Sequence, residues 1–199
     1  MNGQQAQHLE KTAGANEVME VGFKRLSEHA VLPTKAHASD SGFDLYAAAD
    51  VLIAPGETVV VPTNIAVKLP EGFEATVRPR SGITSRTKLR VQLGSIDNGY
   101  NGDIGVIIDN IAQEKDEPYV TTYALISGEV IEHPRKGYEY VSTFPVGAYK
   151  IRKHDKIAQL VVQPIPQAVA VEITELGETE RGDAGFGSSG TRQAGGHIE

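Results

Sequence analysis

The chain has no cysteine among its 199 residues. That absence removes disulfides, thiolate nucleophiles and cysteine-based metal sites together, and it leaves no sign of an oxidising compartment, so a cytoplasmic setting is expected. Positive charge is also scarce. Lys and Arg number 19 against 26 Asp and Glu, a formal net charge of −7, so no diffuse positive field exists to hold a nucleic-acid backbone and no direct nucleic-acid binding is expected. Any phosphate must be held locally. No apolar run approaches the ~20 residues of a membrane helix, and the polar opening lacks the basic-then-apolar order of a signal peptide, so neither a membrane nor export is expected. There is no internal repeat, no G-x-x-x-x-G-K-[ST] and no H-E-x-x-H, and the six histidines (His8, His29, His37, His133, His154, His197) show no metal-ligand spacing. Walker-type and zinc chemistry are excluded on these grounds.

What is present is enough for one core. A mass of 21.3 kDa with 40% hydrophobic residues fits a single domain with appendages rather than a two-domain enzyme. Residues 1–17 are Gln, Ala, Gly and Asn with one leucine, and they read as a mobile leader. From there the apolar period is two: Met19, Val21, Phe23; Ile65, Val67, Leu69; Phe73, Ala75, Val77; Leu89, Val91, Leu93; Ile104, Val106, Ile108. Turn residues punctuate these runs at Pro33, Pro55-Gly56, Glu71-Gly72, Asn98-Gly99 and Asn101-Gly102. Many short strands with tight turns predict an all-β sandwich or closed barrel of jelly-roll type. Residues 83–89 predict a short helix, and later strands are expected at 119–126, 157–163 and 169–173. Residues 18–175 form the expected domain, and 176–199 a glycine-rich C-terminal arm.

Five short stretches carry chemistry. In Arg78-Pro79-Arg80-Ser81-Gly82, proline ends strand pairing while Ser81 and Gly82 expose amides where a helix begins, which suits an anion; a solvated Arg pair beside a turn is the plainer alternative. In the stretch from Gly94 to Asp103, Asp97 is ionised at neutral pH, because a carboxyl titrates near ~3.9, and can accept a proton from water. Tyr100 offers a flat face three residues on. Each residue there is also an ordinary turn former. Asp44 sits in an otherwise apolar strand and needs a partner, a hydrated metal or an arginine. Gln159 in Asp155-Lys156-Ile157-Ala158-Gln159 can meet a phosphate oxygen. The last stretch, Gly185-Phe186-Gly187-Ser188-Ser189-Gly190, satisfies G-x-G-x-x-G without the strand and helix a dinucleotide site needs. With Arg181 it reads as a phosphate clamp, although composition alone favours a flexible tail. Phe186 has no core to enter, but its ring can cover a nucleobase.

In order, S-G-F-D-L-Y-A-A, R-S-G, G-S-I-D-N-G-Y-N-G, D-K-I-A-Q-L and R-G-D-A-G-F-G-S-S-G resemble the five motifs of the trimeric dUTPases. Ser41 stands where Ala is usual, and His154-Asp155-Lys156 replaces the commoner Gly-Asp-Arg. An added segment, about 110–142, resembles inserts in dUTPases from phages of Gram-positive bacteria. Four of the seven tyrosines (Tyr119, Tyr123, Tyr138, Tyr140) lie in it.

The resemblance implies a jelly-roll protomer, a homotrimer with sites at subunit interfaces, and an arm closing over a neighbour. It also implies hydrolysis of dUTP to dUMP and pyrophosphate. Asp97 is then the base; Arg80, Ser81 and Gly82 hold phosphate oxygens, Gln159 the α/β region, and Arg181, Gly187, Ser188 and Ser189 the outer phosphates. Phe186 is the lid. The backbone from Gly94 through Ile96 to Gly105 reads uracil, and Tyr100 packs on the deoxyribose. Mg²⁺ rides on the phosphates, with Asp44 touching it only through water. Two other readings stay open: a repressor-binding protein acting through the insert, and a dCTP deaminase of the same broad fold.

Overall fold

The computed structural model describes residues 19–113, 119–120, 122–132 and 143–185. The chain divides into two compact units, 1–166 and 167–199. The first unit is almost wholly β. Strands β1 (Gly22–Arg25), β2 (Phe43–Tyr46), β3 (Val51–Ile53), β4 (Thr58–Pro62), β5 (Ile65–Lys68) and β6 (Phe73–Arg78) lead into one short helix, α1 (Ser81–Arg86). After it come β7 (Leu89–Val91), β8 (Gly94–Ile96) and β9 (Gly105–Asn110), then β10 (Tyr119–Val120), β11 (Thr122–Leu125), β12 (Val130–Glu132), β13 (Phe144–Pro145), β14 (Tyr149–Ile151) and β15 (Lys156–Pro164). The main sheets run β2-β15-β6-β8, β4-β9-β7 and β12-β11-β14-β3, with β1-β5 and β10-β13 as two-stranded ribbons. The all-β jelly roll expected from the apolar period is the fold observed.

The core follows that period. Leu45, Ile53, Val61, Ile65, Leu89, Val106, Ile108, Ile151, Ile157 and Leu160 are fully buried, and alternate residues such as Val60 and Ile107 turn outward. Leu93 departs from it: expected in a buried alternation, it is 71% exposed. β7 stops at Val91, and the chain then leaves the β9 ladder so that β8 can join β6 in a different sheet. The stretch from Gly94 to Asp103 is therefore an excursion between sheets. The helix spans 81–86 rather than the expected 83–89, and it ends before Leu89 because Leu89 is claimed by the core and paired with Asn110.

The described residues of the added segment join the barrel. Asn110 is buried at the end of β9, donating through Nδ2 to the carbonyls of Ile53 (3.1 Å) and Gly147 (3.0 Å), while its Oδ1 accepts from the Ala112 amide at 3.1 Å. β11 runs parallel to β14, and β11 and β12 form a hairpin that extends the β3-β14 sheet. Leu125 is 2% exposed. Tyr138 and Tyr140 lie outside the described residues.

The second unit shows no strand among its described residues. Val169, Val171, Ile173 and Leu176 are highly exposed, so the strand expected at 169–173 is absent from the isolated chain. A tight turn at Gly182 (φ +57) is closed by its amide on the Thr179 carbonyl and hydroxyl.

Candidate active site

Three strands build the first half of the site. β15 lies between β2 and β6, and its register places Gln159 opposite Asp44 on one side and Arg78 on the other. Gly42, just before β2, lies tight against β15: a Cβ there would lie 3.1–3.2 Å from Val161, Gln159 and Leu160 atoms, so a larger residue would make the neighbours shift by a few tenths of an ångström. Pro79 follows the last ladder position, and Arg80 takes an extended conformation (φ −91, ψ 127) before α1 begins at Ser81.

Asp44 is 5% exposed and has found the partner its burial demanded. Arg80 Nε lies 3.2 Å from Oδ1, Lys156 Nζ lies 2.8 Å from Oδ2, and Arg80 Nη1 also donates to the Lys156 carbonyl at 3.2 Å. The carboxylate thus fixes two cations at the edge of the cavity. Its hydrogen bond, opposed by partial desolvation, holds the Lys156 ammonium above the usual lysine range. The cavity, about 480 Å³, is lined by Arg80, Ser81, Gly82, Lys156 and Gln159, and by Arg86, Ile126 and Ser127. Lys156 is a member the sequence reading overlooked. Its signal was a cation three residues before Gln159, on the bulged start of the same strand.

The second half is the excursion after β8. Ile96 turns its side chain into the core, leaving its backbone to any ligand. Asp97 is exposed; its carbonyl accepts from the Gly99 (3.0 Å) and Tyr100 (3.1 Å) amides, and among the described residues no side chain pairs with its carboxylate. Asn98 caps the carbonyls of Leu69, Pro70 and Phe73 through Nδ2, pinning the turn to the sheet. Asp103 accepts from the Ile65 amide at 3.1 Å and the Thr63 hydroxyl at 3.3 Å. Both were legible only as turn formers, because their partners lie 25 or more residues away. Tyr100 donates to the Asp103 carbonyl at 2.9 Å, and its ring fills the space a Cβ on Gly102 would need, so Gly102 is what allows this tyrosine to fold back. A 170 Å³ pocket lies between Val67–Leu69 and Asp97–Asn101. Gly94 and Gly105 do not line it. Gly105 also meets a packing constraint, since a Cβ there would stand 2.6 Å from Val60 Cγ1.

On the arm, Arg181 Nε donates to the Ala184 carbonyl at 2.9 Å. Phe186, Gly187, Ser188 and Ser189 lie outside the described residues. Among the described residues no three His, Asp or Glu side chains converge on a metal position. Both oxygens of Asp44 are already engaged by cations, which makes it a poor fit for a metal ion, and no step below is routed through one. No helix among the described residues is long and apolar enough to cross a membrane.

On one jelly roll, an arginine-lysine-glutamine cavity and, toward the other end of β6, an unpaired carboxylate on a glycine-rich turn are the parts of a phosphohydrolase acting on a small anionic substrate. The comparisons narrow the class. The dUTPase family model matches residues 28–126 and 120–190, and the chain belongs to the dUTPase family of enzymes. A Clostridium kluyveri deoxyuridine 5'-triphosphate nucleotidohydrolase is 36% identical over 175 residues, 87% of this chain and 99% of that protein. The human mitochondrial nucleotidohydrolase is 36% identical over 172 residues, 86% of this chain and 55% of that one. Among solved structures, a mutant dUTPase of Staphylococcus bacteriophage 80alpha with dUpNHpp superposes with a TM-score of 0.78 at 34% identity, covering 86% of this chain and 98% of that one. A phage phi11 dUTPase mutant, described as coordinating a structural Mg(II) ion, gives 0.73 at 32% identity, covering 79% and 98%.

Proposed function

We propose that this chain hydrolyses dUTP to dUMP and pyrophosphate, with water attacking the α-phosphorus under the guidance of Asp97. The carrying observation is where the two halves sit. Ile96 pairs with Ala75, so Asp97 lies at the Phe73 end of β6, whereas Arg80 follows Arg78 at the other end. Six residues of extended chain separate Glu74 from Arg80, about 20 Å at ~3.3 Å per residue. A water positioned by Asp97 cannot reach a phosphorus held by Arg80 and Gln159 of the same chain. The halves become one site only when a second copy supplies the other. This supports a homotrimer with interfacial sites, as do the outward-facing pair Val60 and Ile107 and the exposed Val169, Val171 and Ile173 that precede the arm.

In that assembly Arg80, the Ser81 hydroxyl and the Gly82 amide hold phosphate oxygens, Gln159 contacts the α/β region, and Asp44 fixes Arg80 rather than touching substrate. The unpaired Asp97 carboxylate is free to orient and deprotonate water. Tyr100 carries the deoxyribose, and backbone around Ile96 and Asn98 to Tyr100 reads the uracil edge. Arg181, Gly187, Ser188 and Ser189 clamp the outer phosphates, and Phe186 covers the base. Mg²⁺ belongs to this reading as a companion of the triphosphate, lowering its charge, with Asp44 meeting it at most through water. A cytoplasmic setting agrees with the cysteine-free composition. Residues 1–17 and 176–199 are read as extension and arm.

Pyrophosphate release measured across dUTP, dCTP, dTTP and UTP tests this. Hydrolysis of dUTP should exceed that of dCTP by ~10⁴, the discrimination a hydrogen-bonding site reaches against a mismatched base, while dTTP is refused for want of space for its 5-methyl group and UTP by Tyr100 against its 2′-hydroxyl. Ammonia release from dCTP would replace the reading with a deaminase. A second reading, repressor binding through the added segment, is favoured by the exposed Val130 on β12 and by the description of the 80alpha enzyme as controlling transfer of virulence genes through a G protein-like mechanism.

A further inference from the structure

The cavity at the Arg80 end holds groups that no role above uses. Arg86 is the last residue of α1, four positions after Gly82, so the two share a helix face and both line the cavity. Arg80 and Lys156 are each engaged by Asp44, whereas Arg86 is exposed and, among the described residues, pairs with no carboxylate. Three cations therefore stand against one carboxylate among the described residues, and Arg86 carries the charge left uncompensated. Ser127, from the turn of the β11-β12 hairpin, lines the same cavity. The turn continues into Gly128 at φ +86, where a Cβ would lie 3.4 Å from the Arg86 carbonyl oxygen and 3.5 Å from its Cβ. The added segment is seated on the backbone of Arg86.

We propose that Arg86 binds the outer phosphates of the substrate, and that the Ser127-Gly128 turn positions it for that contact. The inference rests on the phosphohydrolase reading and assigns the added segment a part in it. With the first phosphate taken by Arg80, Gly82 and Gln159, Arg86, one helical turn beyond Gly82, is left for the further phosphates of a triphosphate. Arg86 therefore distinguishes nucleotides by phosphate length. The structural alternative is a cation that merely complements the end of the helix, where positive charge is favoured anyway. The two differ in what they change: a helix-end role moves thermal stability and affects all ligands alike.

The test uses the full chain as wild type, Arg86→Gln, Arg86→Lys and Gly128→Ala. Binding of dUMP and of the non-hydrolysable dUpNHpp is measured beside kcat, KM and the thermal midpoint. Arg86→Gln should weaken dUpNHpp by roughly tenfold or more, the scale of one charge-assisted contact, with dUMP affinity nearly unchanged and Arg86→Lys recovering most of the loss. Gly128→Ala should raise KM for dUTP in the same direction without altering dUMP. Unchanged dUpNHpp binding in Arg86→Gln, or equal loss for both ligands, overturns the proposal while leaving dUTP hydrolysis standing. A wild-type chain that neither binds dUpNHpp nor releases pyrophosphate from dUTP overturns the underlying reading instead.

Discussion

Asp97 and Asp44 are both acidic residues next to the proposed chemistry, and their surroundings give them opposite tasks. Asp44 is buried between Arg80 and Lys156, with both oxygens engaged, and its charge is spent on holding cations in place. Asp97 is exposed on a turn whose backbone is tied down by Asn98, so its carboxylate keeps its lone pairs for a ligand. Asp97→Asn should therefore lower kcat by about 10²-fold or more, the usual share of a positioned base, while dUpNHpp still binds, because amide and carboxylate occupy the same volume. Steady-state turnover beside analogue binding checks this, and near-normal turnover would remove Asp97 from its role. The pairing of Asp44 was legible as a need but not as an identity. A lone carboxylate in an apolar run must have a partner, yet which of 19 cations reaches it depends on β15 lying between β2 and β6.

Among the elements, the β11-β12 hairpin departs most from what its sequence suggests. The added segment that carries it holds four of the seven tyrosines and none of the five motifs, and so reads as an appendage. Even so, Leu125 is buried, its amide donates to the Glu129 carbonyl at 2.7 Å, and β11 is locked to β14 by the Ala124 amide on the Ala148 carbonyl at 3.0 Å. Leu125→Ala should destabilise the whole protein by about 2–5 kcal/mol, as burial of a leucine in packed surroundings implies. Denaturant unfolding followed at two probes measures it. A loss within a few tenths of a kcal/mol would make the hairpin a detachable appendage after all. Replacement of residues 110–142 as a block would also remove Asn110, which ties β9 to Ile53 and Gly147, so a clean deletion has to begin beyond Ala112.

At the scale of the whole molecule, the proposed site draws Asp97 and Arg80 from different copies, because the two lie toward opposite ends of β6. Asp97→Asn and Arg80→Gln chains should each be nearly inactive alone. Refolded together into mixed trimers, they should regain activity that neither parent has, because some interfaces pair an intact Asp97 half with an intact Arg80 half. Activity of the mixture after subunit exchange, with mixed composition confirmed by mass, is the measurement. No recovery in demonstrably mixed trimers would place both halves of a site in one chain.

The all-β class, the turn positions and the motif residues were determined by local sequence, since alternation of apolar residues and the turn chemistry of Gly, Pro, Asn and Asp act over a few positions. The dUTPase resemblance was likewise legible there, carried by short contiguous motifs. What only the tertiary structure decided are matters of long-range register. These include Leu93 left outside because β8 changes sheets, Lys156 on Asp44 rather than in solvent, Gly102 required by the Tyr100 ring, and the added hairpin resting against Arg86. Each depends on strands far apart in sequence lying side by side, and local composition does not encode which edges meet.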